Sequence, residues 1–141
     1  MAIEIAYTQH YANNLSQQDA LWTGSRVIQE KNLAPEYRTV DAAERIVVAV
    51  ADGVAISPYP QKASRLVLEL LSKELATDTA FDGRLLRRIH GYLCDALAKG
   101  KTFGTSTTIV VARYHQEQCS ILSVGDSRAY HLTAAGELRQ L

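Results

Sequence analysis

The chain has 141 residues, of which 47% are hydrophobic and 21% charged, a composition that suits one compact domain spanning residues 1–141. Its 15 basic and 15 acidic side chains cancel, so no electrostatic footprint for a nucleic-acid partner is present. No window comes near the ~18 uninterrupted apolar residues that a membrane-spanning helix needs, and no membrane partner is expected.

The first part of the chain predicts strands. AIEIAY alternates apolar and other residues and predicts a first strand, and DALWTGSRVIQ predicts a second strand interrupted near Gly24. The next stretch, KNLAPEYRTVDAAE, is expected to be a polar excursion. RIVVAVA is rich in β-branched residues and has apolar residues at both odd and even positions, so it predicts a strand covered on both faces.

Two amphipathic helices are predicted next. The first begins near Pro58 and Pro60, where a missing N–H group costs least, and the second follows Asp82, a suitable N-cap, and ends before Gly100. Their apolar faces follow the i, i+3, i+4, i+7 spacing. These faces comprise Ala63, Leu66, Val67, Leu70, Leu71 and Leu75 in the first helix, and Leu85, Leu86, Ile89, Tyr92, Leu93, Ala96 and Leu97 in the second. Each face must pack against apolar surface, which a sheet provides.

The C-terminal part predicts a meander of strands. STTIVVARY and CSILSV are joined by HQEQ, and RAYHLT and ELRQL follow after turns at residues 125–127 and 135–136. The order of elements is strands, two helices, then strands. This order favours an α+β fold of about seven strands and two long helices over a βαβ alternation.

Cysteine usage and the N-terminus point to the cytoplasm. Cys94 and Cys119 form no Cys-x-x-Cys pair and are expected to be reduced residues on packed elements. MAIEIAYTQHY lacks a basic region followed by a long apolar stretch, so it does not resemble a secretory signal.

Acidic residues stand beside glycine at predicted strand ends. Asp52-Gly53 ends one strand, Gly125-Asp126 ends another, and Asp19 lies next to a strand start. Carboxylates held at strand ends, together with a glycine carbonyl, are the oxygen ligands that Mg²⁺ and Mn²⁺ prefer. The same dipeptides are common in turns, so these residues could instead simply shape hairpins.

Together these blocks resemble a known family. VVAVADG, a long helix, GTSTTIVVA and SVGDSRAYHL are similar in order and spacing to the metal-dependent protein phosphatases (PPM, or type 2C serine/threonine phosphatases). SQQD, near the N-terminus, is similar to the first acidic block of that family. The resemblance covers residues 3–141.

The resemblance implies a truncated PPM-type β-sandwich with flanking helices and two or more Mn²⁺ or Mg²⁺ ions at one end of the sheets. Asp19 and Asp52 would be the catalytic residues: Asp52 would bridge two metals, the Gly53 carbonyl would ligate one of them, and Asp19 would act at the edge of the site through water. Asp126 would serve a third, weaker metal. Ser127 would hold the hairpin. The implied reaction is hydrolysis of phosphoserine or phosphothreonine in protein substrates by a metal-activated water.

The chain departs from the family pattern in four places. Asn14 stands where the family has a phosphate-binding arginine, so it is expected to contact phosphate only weakly, because an amide cannot make the charged bidentate contact of a guanidinium. Gln18 occupies a position where many members have glutamate. The Gly-Gly that usually follows the Asp-Gly pair in the family is missing after Asp52-Gly53, and Val54 stands where some members place a histidine acid. The sequence stops at Leu141, before the part of the pattern that supplies two further metal-binding aspartates.

Two classes of function follow. The chain, or a longer protein of which it is the N-terminal portion, is a Mn²⁺- or Mg²⁺-dependent serine/threonine phosphatase. Alternatively, it is a catalytically inactive, phosphatase-like binding or regulatory module. With few ligands present, metal binding is expected to be weak and easily lost to a chelator. Apolar sheet surface left open by the missing half would favour self-association into a homo-oligomer.

Overall fold

The computed structural model describes residues 2–11, 15–77 and 80–141. In these ranges the nine strands are β1 (Ala2–His10), β2 (Asp19–Trp22), β3 (Val27–Ile28), β4 (Asn32–Asp41), β5 (Ile46–Asp52), β6 (Ile109–His115), β7 (Gln118–Val124), β8 (Tyr130–Leu132) and β9 (Leu138–Gln140). The two long helices are α1 (Pro60–Leu75) and α2 (Gly83–Leu97), and Gly100–Thr102 forms a short 3₁₀ turn. Within the same ranges, neither helix combines the length and the apolar character needed to cross a membrane.

A five-stranded antiparallel sheet, in the order β3-β2-β5-β6-β7, organises the molecule. Both helices pack on one of its faces. Alternation along β5 explains this, because Val47, Ala49 and Ala51 face the helices while Val48 and Val50 point to the opposite side. The main core joins these side chains to the buried faces of α1 and α2.

On the opposite face lies the pair formed by β1 and β4. This second layer covers only the β2–β3 end of the sheet, where Leu21, Ile28 and Leu33 form a small buried cluster with Tyr7 packed against it. Between β1 and the strands β5, β6 and β7 it leaves an open apolar cleft of about 430 Å³, called here the interlayer cleft. Among its lining residues are Ile5, Val50, Val110, Ala112, Ile121 and Ala129.

Two strand predictions were wrong. The stretch KNLAPEYRTVDAAE is not an excursion, since most of it forms the ten-residue strand β4. Its polar residues fit because only Leu33 and Val40 are buried, and Pro35 is tolerated because β4 pairs on one side only, with β1. The second predicted strand divides into β2 and β3 around Gly24, which has a φ of 88°. These two changes raise the count from about seven strands to nine.

The helix predictions agree with the structure better than the strand predictions do. α1 begins at Pro60, and Asp82 caps α2 by accepting a hydrogen bond from the Arg84 N–H at 2.8 Å. The predicted apolar face of α2 was too wide, because Tyr92 and Ala96 are exposed and Leu86 is only half-buried. The cysteines are free but not packed, since both are exposed.

Candidate functional site

Asp19 and Asp52 lie directly opposite each other in the central sheet. Asp19 is the first residue of β2, Asp52 is the last residue of β5, and the antiparallel register pairs the two residues. A buried strand such as β5 accommodates a carboxylate only where it emerges, at its end. Two strand termini therefore bring both predicted acidic residues to one edge of the sheet.

The carboxyl groups of this pair interact. The pKa of Asp19 is raised from 3.8 to about 6, first by burial, then by hydrogen bonding with the Asp52 side chain and by its negative charge. Although Asp19 is exposed overall, its carboxyl group is partly enclosed by the walls of a cleft. A pair of this kind holds a shared proton or attracts a cation, because two adjacent negative charges repel each other.

The cleft around the two carboxylates has a volume of about 270 Å³ and is called here the acidic cleft. It lies where β1, β2 and the end of β5 meet the turn after β7. It is lined by Thr8, Gln9, His10, Gln17, Asp19, Ala20, Leu21, Val50, Ala51, Asp52 and Ser127. The space suits a small polar ligand such as a hydrated cation or a phosphate group.

Two buried glutamines hold the backbone of Asp19. The Gln9 amide donates to the Asp19 carbonyl at 3.3 Å, and the Asp19 N–H donates to the Gln17 side-chain oxygen at 3.1 Å. Both glutamines also bond to the backbone of Glu30, at 3.0 and 3.1 Å. Sequence reasoning missed these glutamines, because a polar residue gives no periodic signal that distinguishes a buried position from an exposed one.

The backbone of Asp52 is held from the other side by Thr107 and Thr108, the two residues before β6. The Thr108 N–H and the Thr107 hydroxyl both donate to the Asp52 carbonyl at 2.8 Å, and the Asp52 N–H donates to the Thr108 hydroxyl at 3.2 Å. The Thr108 hydroxyl is 2.6 Å from the Ser127 hydroxyl, which lines the acidic cleft. These bonds join the turn after β7 to the end of β5.

Gly53 is enclosed by backbone. A β-carbon placed there would lie 2.4 Å from the Pro60 carbonyl oxygen and 2.8 Å from that of Gln18, so no other residue fits without movement. The Gly53 N–H donates to the Gln18 carbonyl at 3.1 Å. Gly53 also forms an antiparallel bridge with Thr107. A hydrogen bond of this bridge comes from neighbouring residues, because the Val54 N–H donates to the Ser106 carbonyl.

Ser64 links α1 to the same corner. It is fully buried, and its hydroxyl donates to the Gln18 carbonyl and accepts from the Gln29 amide at 3.0 Å. Sequence reasoning missed this residue, although a signal was present. Ser64 is a polar residue on the helix stripe that continues through Leu68 and Leu71, where a serine needs a specific partner.

The remaining predicted site residues are not gathered in this cleft. Asp126 is exposed and is not among the described residues that line it, and its charge acts on the nearby Arg128, whose pKa is raised first by hydrogen bonding with Tyr130. Asn14 lies outside the described residues. Over residues 2–11, 15–77 and 80–141, no three His, Cys, Asp or Glu side chains come together in a group that could hold a metal ion.

The oxygen atoms near this pair are nevertheless of the type that a hard divalent cation such as Mg²⁺ or Mn²⁺ prefers. Asp19 and Asp52 would supply carboxylate oxygens, and Gly53, the residue after Asp52, would supply a backbone carbonyl. Two carboxylates are few ligands, so water or further protein groups would have to complete the coordination of any ion.

Comparison with known proteins gives a structural likeness and no sequence match. No protein-family model matches the chain, and no curated protein matches it. Among solved structures, the crystal structure of the Mycobacterium tuberculosis serine/threonine phosphatase PstP/Ppp superposes with a TM-score of 0.66 at 19% identity, over 99% of this chain and 53% of that one. The chain thus spans about half the length of that phosphatase. The predicted fold class is confirmed: the chain has an α+β fold like that of about half of this serine/threonine phosphatase.

Proposed function

We propose that this chain carries part of the active site of a metal-dependent phosphatase that removes phosphate from phosphoserine or phosphothreonine in proteins. The observation that supports it most is the direct pairing of Asp19 with Asp52 in the acidic cleft. The phosphatase-like fold gives the second support.

In this proposal Asp52, Asp19 and the Gly53 carbonyl hold Mn²⁺ or Mg²⁺ at the acidic cleft. When bound, such an ion supplies charge neutralisation for a phosphoryl group and activation of water as a nucleophile. The chain's own contribution is positioning. Bonds from Thr107 and Thr108 fix the backbone of Asp52, while the buried glutamines fix that of Asp19.

Other assignments stay predictions from the sequence. Asp126 would serve a weaker additional metal, and Asn14 would contact phosphate. Phosphoproteins are the proposed partners.

The test combines metal binding with turnover. Mn²⁺ binding is measured by calorimetry, and hydrolysis of p-nitrophenyl phosphate and of a phosphothreonine peptide is followed with and without Mn²⁺. We expect weak binding, reversed by a chelator, and a loss of about tenfold or more in affinity and turnover in Asp52→Asn. Asp95→Asn is the control, because it removes a carboxylate from the exposed side of α2.

The outcomes separate the candidate functions. Turnover that requires both Mn²⁺ and Asp52 would establish a working site in this chain. Binding without turnover would favour a phosphatase-like module or a need for ligands from a longer protein. Absence of Mn²⁺ binding in a folded sample would contradict the proposal.

A further inference from the structure

His90 and Cys94 form a close pair on the exposed surface of α2. They stand four positions apart, so both side chains leave the helix on the same side. The Cys94 sulfur lies 3.5 Å from Nε2 of the His90 ring and 3.8 Å from Nδ1. Both residues are exposed, whereas Leu85, Ile89 and Leu93 form the buried stripe of the helix. The pair therefore faces solvent beside the surface that packs on the sheet.

The separation of the two side chains matches the ligand spacing of a tetrahedral metal site. Zn²⁺ is held at about 2.3 Å by a cysteine sulfur and at about 2.0–2.1 Å by a histidine nitrogen. At a tetrahedral angle of about 109°, these bond lengths place sulfur and nitrogen about 3.6 Å apart. The 3.5 Å between Sγ of Cys94 and Nε2 of His90 agrees with this spacing, so both atoms reach one ion with little change in the helix.

The two ligand types also select the class of ion. A thiolate and an imidazole together suit ions such as Zn²⁺, whereas Mg²⁺ and Mn²⁺ prefer oxygen ligands. On binding, the Cys94 thiol releases its proton to solvent, and neutral His90 donates the lone pair of Nε2 to the ion. The pair thus differs in ion class from the acidic cleft around Asp19 and Asp52.

Small neighbours leave room around the pair for the rest of a coordination shell. Gly91 lies three residues before Cys94 and Ala98 four residues after it, so both border the pair on the helix surface, and both are exposed. A β-carbon at Gly91 would have nothing within 4 Å. In the part of the chain that the structure describes, no third His, Cys, Asp or Glu joins the pair, so water would fill the two remaining tetrahedral positions.

The charged residues next to the pair are of both signs. Arg87 stands three residues before His90, and Asp95 follows Cys94 directly. Both side chains are exposed, so water and salt screen their charges. Neither residue therefore decides whether a cation binds.

We propose that His90 and Cys94 form a binding site for a divalent transition-metal ion of the Zn²⁺ class, held by one sulfur and one nitrogen. The site lies on α2, and the proposal does not depend on phosphatase activity.

The test is a titration of the reduced full chain with Co²⁺, a coloured substitute for Zn²⁺. Thiolate coordination is expected to produce a sulfur-to-cobalt charge-transfer band that saturates at one ion per chain and disappears when Zn²⁺ is added. Cys94→Ser should abolish the band, and His90→Gln should weaken Co²⁺ affinity about tenfold or more. Cys119→Ser is the matched control: it removes the other exposed cysteine, which among the described residues forms no hydrogen bond with an imidazole, and should retain the band.

Two further measurements separate this site from the acidic cleft and from misfolding. Asp52→Asn should retain the band, and circular dichroism verifies that each variant is folded. Zn²⁺ should raise the Tm of the wild type more than that of Cys94→Ser, because an ion bound to both residues stabilises the folded chain. A folded wild type without the band, or an undiminished band and affinity in folded Cys94→Ser or His90→Gln, would overturn the proposal.

Discussion

The backbone at Gly53 lies so close to two other backbone segments that only a residue without a side chain fits there. In Gly53→Ala the new β-carbon would meet the backbone of Pro60 and of Gln18 at under 3 Å, and backbone cannot rotate away. We expect a loss of about 1–3 kcal/mol in the free energy of unfolding, measured by urea denaturation.

The matched control for this substitution is Gly91→Ala. Gly91 lies inside α2, is exposed, and has nothing within 4 Å of a β-carbon. Here alanine should stabilise the chain by about 0.5–1 kcal/mol, because it restricts the unfolded backbone and favours helix. Equal effects of the two substitutions would show that the enclosure of Gly53 has no energetic weight.

The raised pKa of Asp19 makes a pH-dependent contribution to stability. Between its ordinary value of 3.8 and about 6, the folded chain retains a proton on Asp19 that the unfolded chain has lost. The free energy of unfolding should therefore fall as pH rises through this window. Because Asp19 is open to the cleft, solvent screening limits the change to about 1 kcal/mol. Asp19→Asn should abolish this part of the pH dependence in denaturation curves from pH 4 to 7, while Asp95→Asn retains it.

At the scale of elements, Ser64 couples α1 to the start of β2. Ser64→Ala removes the hydroxyl bonds to Gln18, Gln29 and Gln61. The Gln18 carbonyl keeps a partner in the Gly53 N–H, and the Gln29 amide keeps one in the Gln61 carbonyl. We therefore expect a moderate cost of about 1 kcal/mol in thermal or urea unfolding.

Ser72→Ala is the comparison within the same helix. Among the described residues, the Ser72 hydroxyl bonds only to the carbonyl of Glu69, one turn earlier in α1, so its removal should change stability by less than about 0.5 kcal/mol. A Ser64→Ala variant as stable as Ser72→Ala would argue against coupling through this serine.

Predictability from the sequence also differs by element. The strand β5 and both helices followed from apolar periodicity, and the placement of Asp52 at a strand end followed from them. β4 did not, because most of its side chains are exposed and its strand conformation is set by pairing with β1. The resemblance implied that Asp19 and Asp52 belong to one site, but their direct pairing was not predicted, since strand register depends on contacts between distant segments. The glutamines and Ser64 around the pair act through hydrogen bonds, which leave little trace in composition or spacing.

At the scale of the whole molecule, packing is uneven. The central sheet and helices share one large core, whereas the β1–β4 pair rests on a cluster of three buried residues. Native-state amide exchange should therefore occur with a lower opening free energy in β1 and β4 than in β5 and β6. Hydrogen exchange followed by mass spectrometry at increasing urea measures this, and uniform exchange across all four strands would contradict it.

The bond between the Asp52 N–H and the Thr108 hydroxyl joins residues that are 56 positions apart, with both helices between them. During synthesis at roughly 5–20 residues per second, Thr108 is added about 3 to 11 s after Asp52. Over that interval the nascent chain can pair β2 with β5, yet one edge of β5 has no neighbour. That edge presents unpaired backbone N–H and C=O groups, and the side chains of β5 are apolar. The interval between translation of β5 and translation of β6 is therefore the period in which a chaperone or a neighbouring nascent chain could bind the strand.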